Sequence, residues 1–352
     1  MKKHYEYIDL LKSVAIFFVI LIHNYGFNTD FIVNGGFNTY LAYFVRLFIE
    51  GVLIFVFVNG FLLSNKQVDL KKHLIKIFKI LFLVIIWSIF FVVIFSFINH
   101  EIINFKHIVS NVLLTDITSK YSGILWFLQN LICLYLIYPV LKVCKENNKT
   151  VYNYIFIVVM IFTVGSNLVK LILQIVSAIC HMNNITNWIG KFIESYNPVS
   201  NGYFILYFMF GGYVAENIKL VEKYKKKIYI GGICSMIVPM IYSVIYSKIT
   251  TNTYYNNFNY NTIFMMMFVL FIFTLTYNYK FKTNFLKKYI CFVGKNSLGI
   301  YFTHVIVLKV LNIYLINESW YILLNSCLVL FISSILVYVI SKIPILKNFI
   351  KI

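Results

Sequence analysis

Apolar runs of about twenty residues recur along the whole chain, separated by short segments that carry lysine. By hydropathy they fall at approximately 8–26, 43–64, 76–98, 123–142, 151–173, 202–218, 228–247, 260–279, 290–316 and 320–341. A bilayer's hydrocarbon core is about 30 Å thick, so a helix of about twenty apolar residues crosses it. The pattern predicts an all-α fold: a polytopic membrane helix bundle of about ten transmembrane helices, forming one domain over residues 1–352. The charges between the runs orient it. With the N-terminus in the cytoplasm, the outer segments hold only Arg46, Lys106, Lys120, Lys170, Lys191, Lys248 and Lys309. Lys12 and Lys295 lie inside runs, near their cytoplasmic ends, and all other lysines fall in inside segments. This is the positive-inside asymmetry. Ten crossings also return the C-terminus to the cytoplasm.

Composition strengthens the picture. The chain is 61% hydrophobic and 12% charged, against about 45–50% and about 25% in soluble domains. The net charge of +19 is spread over loops. That suits anionic lipid headgroups, whereas nucleic acid needs a basic face outside the membrane. The six cysteines form no CxxC pair, and neither a disulfide nor zinc is expected. The N-terminal stretch has no small-x-small cleavage site and carries Lys12 in its apolar region, so it reads as an uncleaved first helix. GxxxxGK[ST], HExxH and GxSxG are absent, which argues against a P-loop ATPase, a zincin and a nucleophile-elbow hydrolase. The longest outer segments, about 99–122 and 174–201, contain Tyr121, Trp188 and Tyr196. These suit either a sugar or the membrane interface.

Ionisable residues inside the runs carry the candidate chemistry. A charged group at a helix centre costs roughly 2.5–3.5 kcal/mol, so such groups normally face a bundle interior or a water-filled cavity. Lys12 and His23 are eleven residues apart, which puts them on one helix face about 16 Å apart. Asp9 stands at i−3 from Lys12, within pairing reach. Snorkelling of Lys12 and an interfacial His23 explain the stripe equally well. If the stripe lines a cavity, the amine holds an anionic cytoplasmic ligand and the imidazole is a general base. The ninth run adds a second polar face, with Ser297 and His304 seven residues apart and Tyr301 between them, at i−3 from His304.

These stretches resemble the membrane-bound acyltransferase type 3 family, whose hallmark is a basic residue, ten residues and a histidine on the first helix. Here that is Lys12 to His23 within YIDLLKSVAIFFVILIH. GVLIFVFVNGFLLS (51–64), LKKHLIKIFKILFLVIIWS (70–88), ILWFLQNLICLYLIYPVLK (124–142) and GKNSLGIYFTHVIVL (294–308) are similar to further family segments, in order. Lys12 stands where arginine is usual, Asn59 where serine is usual, and His73 with Lys76 where the family shows two arginines.

The resemblance implies an acyltransferase for cell-envelope glycans. The co-substrate is a cytoplasmic acyl-CoA, most simply acetyl-CoA, with no cofactor bound. The acceptor is a hydroxyl of a surface or lipid-linked sugar, and the setting is a bacterial plasma membrane. Lys12, oriented by Asp9, and a basic loop around His73 and Lys76 are expected to attract the CoA phosphates. His23 is expected to be general base or acyl carrier. Asn296, Ser297, Tyr301 and His304 are expected to line the cavity. The chain stops after the tenth run, so a stand-alone member without an SGNH esterase-like domain is expected. A transporter or flippase, or a non-catalytic subunit of glycan export, is the alternative class. Against transport, no internal repeat and no matched pair of Gly/Pro-broken helices is visible.

Overall fold

The computed structural model of the chain describes residues 5–24, 50–103, 105–112, 123–180, 188–192, 195, 197–198, 202–250, 260–314 and 321–351. Every regular element among them is helical. In chain order the helices are α1 (Glu6–Asn24), α2 (Gly51–Leu63), α3 (Leu70–Ile98), α4 (Phe105–Val112), α5 (Trp126–Asn147), α6 (Lys149–Met160), α7 (Ser166–Cys180), α8 (Tyr203–Glu216), α9 (Ile218–Lys223), α10 (Lys225–Thr250), α11 (Ile263–Tyr277), α12 (Asn284–Lys295), α13 (Ser297–Tyr314) and α14 (Tyr321–Lys342). A π turn, Ile161–Gly165, joins α6 to α7. Residues 43–49 of the second predicted run, and Arg46, Tyr121 and Tyr196, lie outside the described residues. Trp188 is exposed, on a short helical stretch at 188–192.

Among the described residues, five stretches are long and apolar enough to cross a membrane: Leu70–Ile98, Gly123–Asn147, Lys149–Ser177, Lys225–Tyr246 and Leu323–Lys342. A sixth is added if α12 and α13 form one bent span, and α2 and α11 are shorter apolar helices. Their outer faces are apolar too. Ile233, Ile237, Ile241 and Ile245 project from α10, each at least half exposed. A four-residue stripe of isoleucine is a surface for lipid rather than water.

The chain divides into two compact units, Met1–Asn65 with Asn153–Leu336, and Lys66–Tyr152 with Val337–Ile352. In the first, α1 packs against α2, α11, α12 and α13, and Leu11, Ala15, Ile16 and Ile20 are fully buried. Glycine lets these helices approach. A Cβ on Gly60 would lie 1.8 Å from Phe208 O, and one on Gly211 2.1 Å from Phe57 O, so α2 and α8 touch backbone to backbone. At Gly294 a Cβ would lie 2.1 Å from Asp9 O, which seats the end of α12 on α1. Ser13 Oγ reinforces that seat, 2.7 Å from Ile290 O and 2.8 Å from Asp9 O in its own helix.

The ninth run differs from its prediction as one straight span. The chain turns by 85° between α12 and α13, at Asn296. Asn296 satisfies the end of α12 by donating its side-chain Nδ2 to Phe292 O at 2.8 Å, and its own carbonyl accepts from Ile300 N to begin α13. A residue that caps one helix and starts the next makes a corner where hydropathy sees continuity.

In the second unit α3 packs against α4 and α5. It starts six residues before its apolar run. Asp69 is the N-cap, accepting from Lys72 N at 3.1 Å and pairing with Lys72 Nζ at 2.7 Å. These donors hold the exposed Asp69 carboxyl below the usual carboxylate range. Lysine is a good helix former, so the helix begins at its cap. The segment expected to be a basic loop around His73 and Lys76 is therefore the opening of α3.

Candidate functional site

The first unit brings His23 and His304 together. His304 Nε2 lies 3.2 Å from His23 Nδ1, with ring centroids 5.2 Å apart. His23 stands one residue before the end of α1, and His304 is in the second turn of α13. Each imidazole also meets a carbonyl of its own helix: His23 Nδ1 is 2.9 Å from Val19 O, and His304 Nδ1 is 3.2 Å from Ile300 O. A carbonyl only accepts, so both Nδ1 atoms carry the proton. In the neutral pair His304 Nε2 is then a lone pair, and the His23 Nδ1–H is shared between Val19 O and that nitrogen. His23 Nε2 is left as a lone pair outside this network.

Accessibility separates the two rings. His304 is fully buried, whereas His23 is exposed. Tyr301 is buried one turn before His304, with ring centroids 5.9 Å apart. The arrangement is an exposed imidazole held by a second, buried imidazole whose Nδ1–H faces its own backbone.

The other expected residues of this unit lie at the opposite end of α1. Asp9 is buried where Gly294 meets it, and Lys12 is half-buried one turn on. Asn296 and Ser297 are buried at the corner between α12 and α13, which starts from that contact. They therefore belong to the Asp9 end of the stripe, while Tyr301 and His304 belong to the His23 end.

His73 and Lys76 are in the second unit, and α5 explains their poses. Pro139 lies inside α5 and has no N–H, so the Tyr135 carbonyl four residues earlier loses its helical donor. His73 Nε2 supplies it, donating to Tyr135 O at 2.7 Å. Lys76 Nζ donates to Tyr135 Oη at 3.0 Å. Replacing His73 by leucine is expected to cost about 1–3 kcal/mol by orphaning that carbonyl. Little should be lost when Pro139→Ala restores the backbone donor. Thermal unfolding of both single variants and the double variant in detergent measures this coupling; equal losses in both backgrounds would rule the pairing out.

Two features went unread in the sequence although their signals were present. Pro139 was legible as a freed carbonyl at Tyr135, but its donor comes from another helix. Asn24, Asn325 and Ser326 stood as polar residues in apolar runs beside His23 and in α14. Among the described residues, no three His, Cys, Asp or Glu side chains converge as a metal site requires.

The model of a family described as an acyltransferase domain matches residues 5–341, nearly the whole chain. No curated protein and no solved structure matches.

Proposed function

This chain belongs to the acyltransferase type 3 family, and from that membership we propose that it moves an acyl group, most simply acetyl, from cytoplasmic acyl-CoA to a hydroxyl of an extracytoplasmic or lipid-linked sugar. The full reading has ten crossings, both termini in the cytoplasm and one catalytic domain in a bacterial plasma membrane. The observation that carries it is the His23–His304 contact on the exposed His23, which commits Nδ1–H and leaves Nε2 as the lone pair.

His23 Nε2 takes the proton of the acceptor hydroxyl as its oxygen attacks the thioester carbonyl. The tetrahedral adduct collapses, the C–S bond breaks, and the CoA sulfur leaves with the proton that His23 returns. While His23 is an imidazolium, its Nδ1–H points at His304 Nε2, which stabilises the charge. Substrates that displace water from the site protect the thioester from hydrolysis. The same lone pair could instead attack the thioester and carry the acyl group covalently; label on the protein in the absence of acceptor separates the two routes. Lys12, oriented by Asp9, attracts the donor phosphates. With His73 Nε2 committed to Tyr135, Lys76 is the cation of the second basic motif. Asn296, Ser297 and Tyr301 line the way along α13.

The test is purified protein with radiolabelled acetyl-CoA, with and without cell-envelope glycan. Glycan-dependent CoA release that His23→Ala removes supports the proposal. Release from neither acetyl-CoA nor succinyl-CoA would move the reading to transport. His304 is a positioning residue in this scheme. His304→Ala is expected to lower kcat about 10–100-fold with little change in either KM, since it removes only part of what a general base contributes. His304→Gln, which keeps an acceptor for the His23 Nδ1–H, should recover part of the loss. Equal losses in both variants would make the role of His304 one of packing alone.

A further inference from the structure

Beside the two imidazoles runs a second polar network that the acyl-transfer chemistry does not use. Asn24, the last residue of α1, donates from Nδ2 to Ser326 Oγ at 2.9 Å. Asn325 donates from Nδ2 to Asn24 Oδ1 at 3.0 Å and, at 3.4 Å, to Asn312 Oδ1. Three helices, α1, α13 and α14, thus each send amide or hydroxyl groups to one place. Asn24, Asn325 and Ser326 are at most 7% exposed, and Asn312 is half-buried.

The network is short of donors. Both N–H groups of Asn325 face oxygens, while its own Oδ1 is buried and, among the described residues, receives no hydrogen bond. An orphaned buried acceptor is costly, and of the several left so among the described residues, Asn325 Oδ1 lies in the network that Asn24 joins to His23. What is missing is an O–H or N–H donor. The position says where that donor comes from. Asn24 follows His23 in sequence, and Asn312 lies on α13, the helix that carries His304. The contacts that join the imidazoles therefore also bring these amides close to the proposed base. An acyl chain offers no donor, whereas a sugar offers several hydroxyls around the one that reacts.

We propose that Asn325, with Asn24 and Asn312, is the seat of the acceptor sugar, taking a hydroxyl that does not react and so setting which neighbour reaches His23. This rests on the acyl-transfer reading above. The seat recognises a polyhydroxylated ligand by donor–acceptor pairs, and its orphaned oxygen is the point of recognition.

Two measurements on the full-length protein in detergent test it, with de-O-acylated cell-envelope glycan fragments as the probe. The first is equilibrium binding of tritiated fragments without acetyl-CoA. The second is glycan-dependent CoA release. Asn325→Leu, close in size but without the amide, is expected to weaken fragment binding tenfold or more and to raise the glycan KM to match, with the acetyl-CoA KM unchanged. Asn312→Ala, at the half-buried edge, should act in the same direction by a smaller factor and guards against misfolding of the first variant. Unchanged binding and unchanged glycan KM in Asn312→Ala and in folded Asn325→Leu would overturn the seat while leaving acyl transfer standing. Fragment binding that both variants weaken, in a wild type that releases no CoA, would keep the seat and remove acyl transfer. A wild type that binds no fragment removes the seat.

Discussion

His23→Ala is expected to abolish glycan-dependent CoA release, a fall of about 10²–10⁴-fold, the usual contribution of a positioned base. Folding should survive. His23 is exposed, and among the described residues its ring bonds only to a carbonyl of its own helix and to His304. The variant leaves His304 Nε2 without its donor, but the exposed position 23 admits water to replace it. Elution and thermal unfolding in detergent should therefore match the wild type. In cells, glycan acyl content should vanish while glycan still reaches the surface. Loss of surface glycan altogether would point to a flippase. Normal acylation would place the base elsewhere.

The second large effect concerns folding. Gly60→Val is expected to destabilise by about 3 kcal/mol or more, beyond the usual range for an overpacked core. Ordinarily a side chain can move aside. Here the new Cβ meets the Phe208 backbone, and separating α2 from α8 to make room forfeits the reciprocal contact of Gly211 with Phe57. Little protein should elute as a single species after extraction. Gly190→Ala is the matched control, because nothing lies within 4 Å of a Cβ there. Equal behaviour of the two variants would show that the α2–α8 crossing tolerates separation.

Hydropathy located the helices because burial in lipid and burial in protein select the same residues. It misplaced features that depend on single hydrogen bonds. The opening of α3 is set by Asp69, whose effect on Lys72 leaves no trace in an averaged window. The corner at Asn296 falls in the polar stretch Gly294–Lys295–Asn296–Ser297, which a window of about twenty residues averages away. For the site, spacing alone put Lys12 and His23 on one face, and Ser297, Tyr301 and His304 on another. It could not tell which ends of those faces meet. The 3.2 Å contact comes from α12 seating on Asp9, a relation between residues nearly three hundred positions apart. Likewise the imidazole of His73 reads as a cation in the sequence, and only the missing N–H of Pro139 turns it into a helix donor.

The corner at Asn296 has a mechanical consequence. α12 grips α1 near its start, at Asp9 and Ser13, and α13 meets it near its end, at His23. Together they form a bracket that holds one helix at two points. Membranes differ in thickness by several Å, and a lone spanning helix adjusts by tilting or shifting. A helix held at both ends by a single bent partner moves only with that partner. The rise from Lys12 to His23, about 16 Å, is thus a dimension of the protein itself, and hydrophobic mismatch with the surrounding lipid leaves it unaltered.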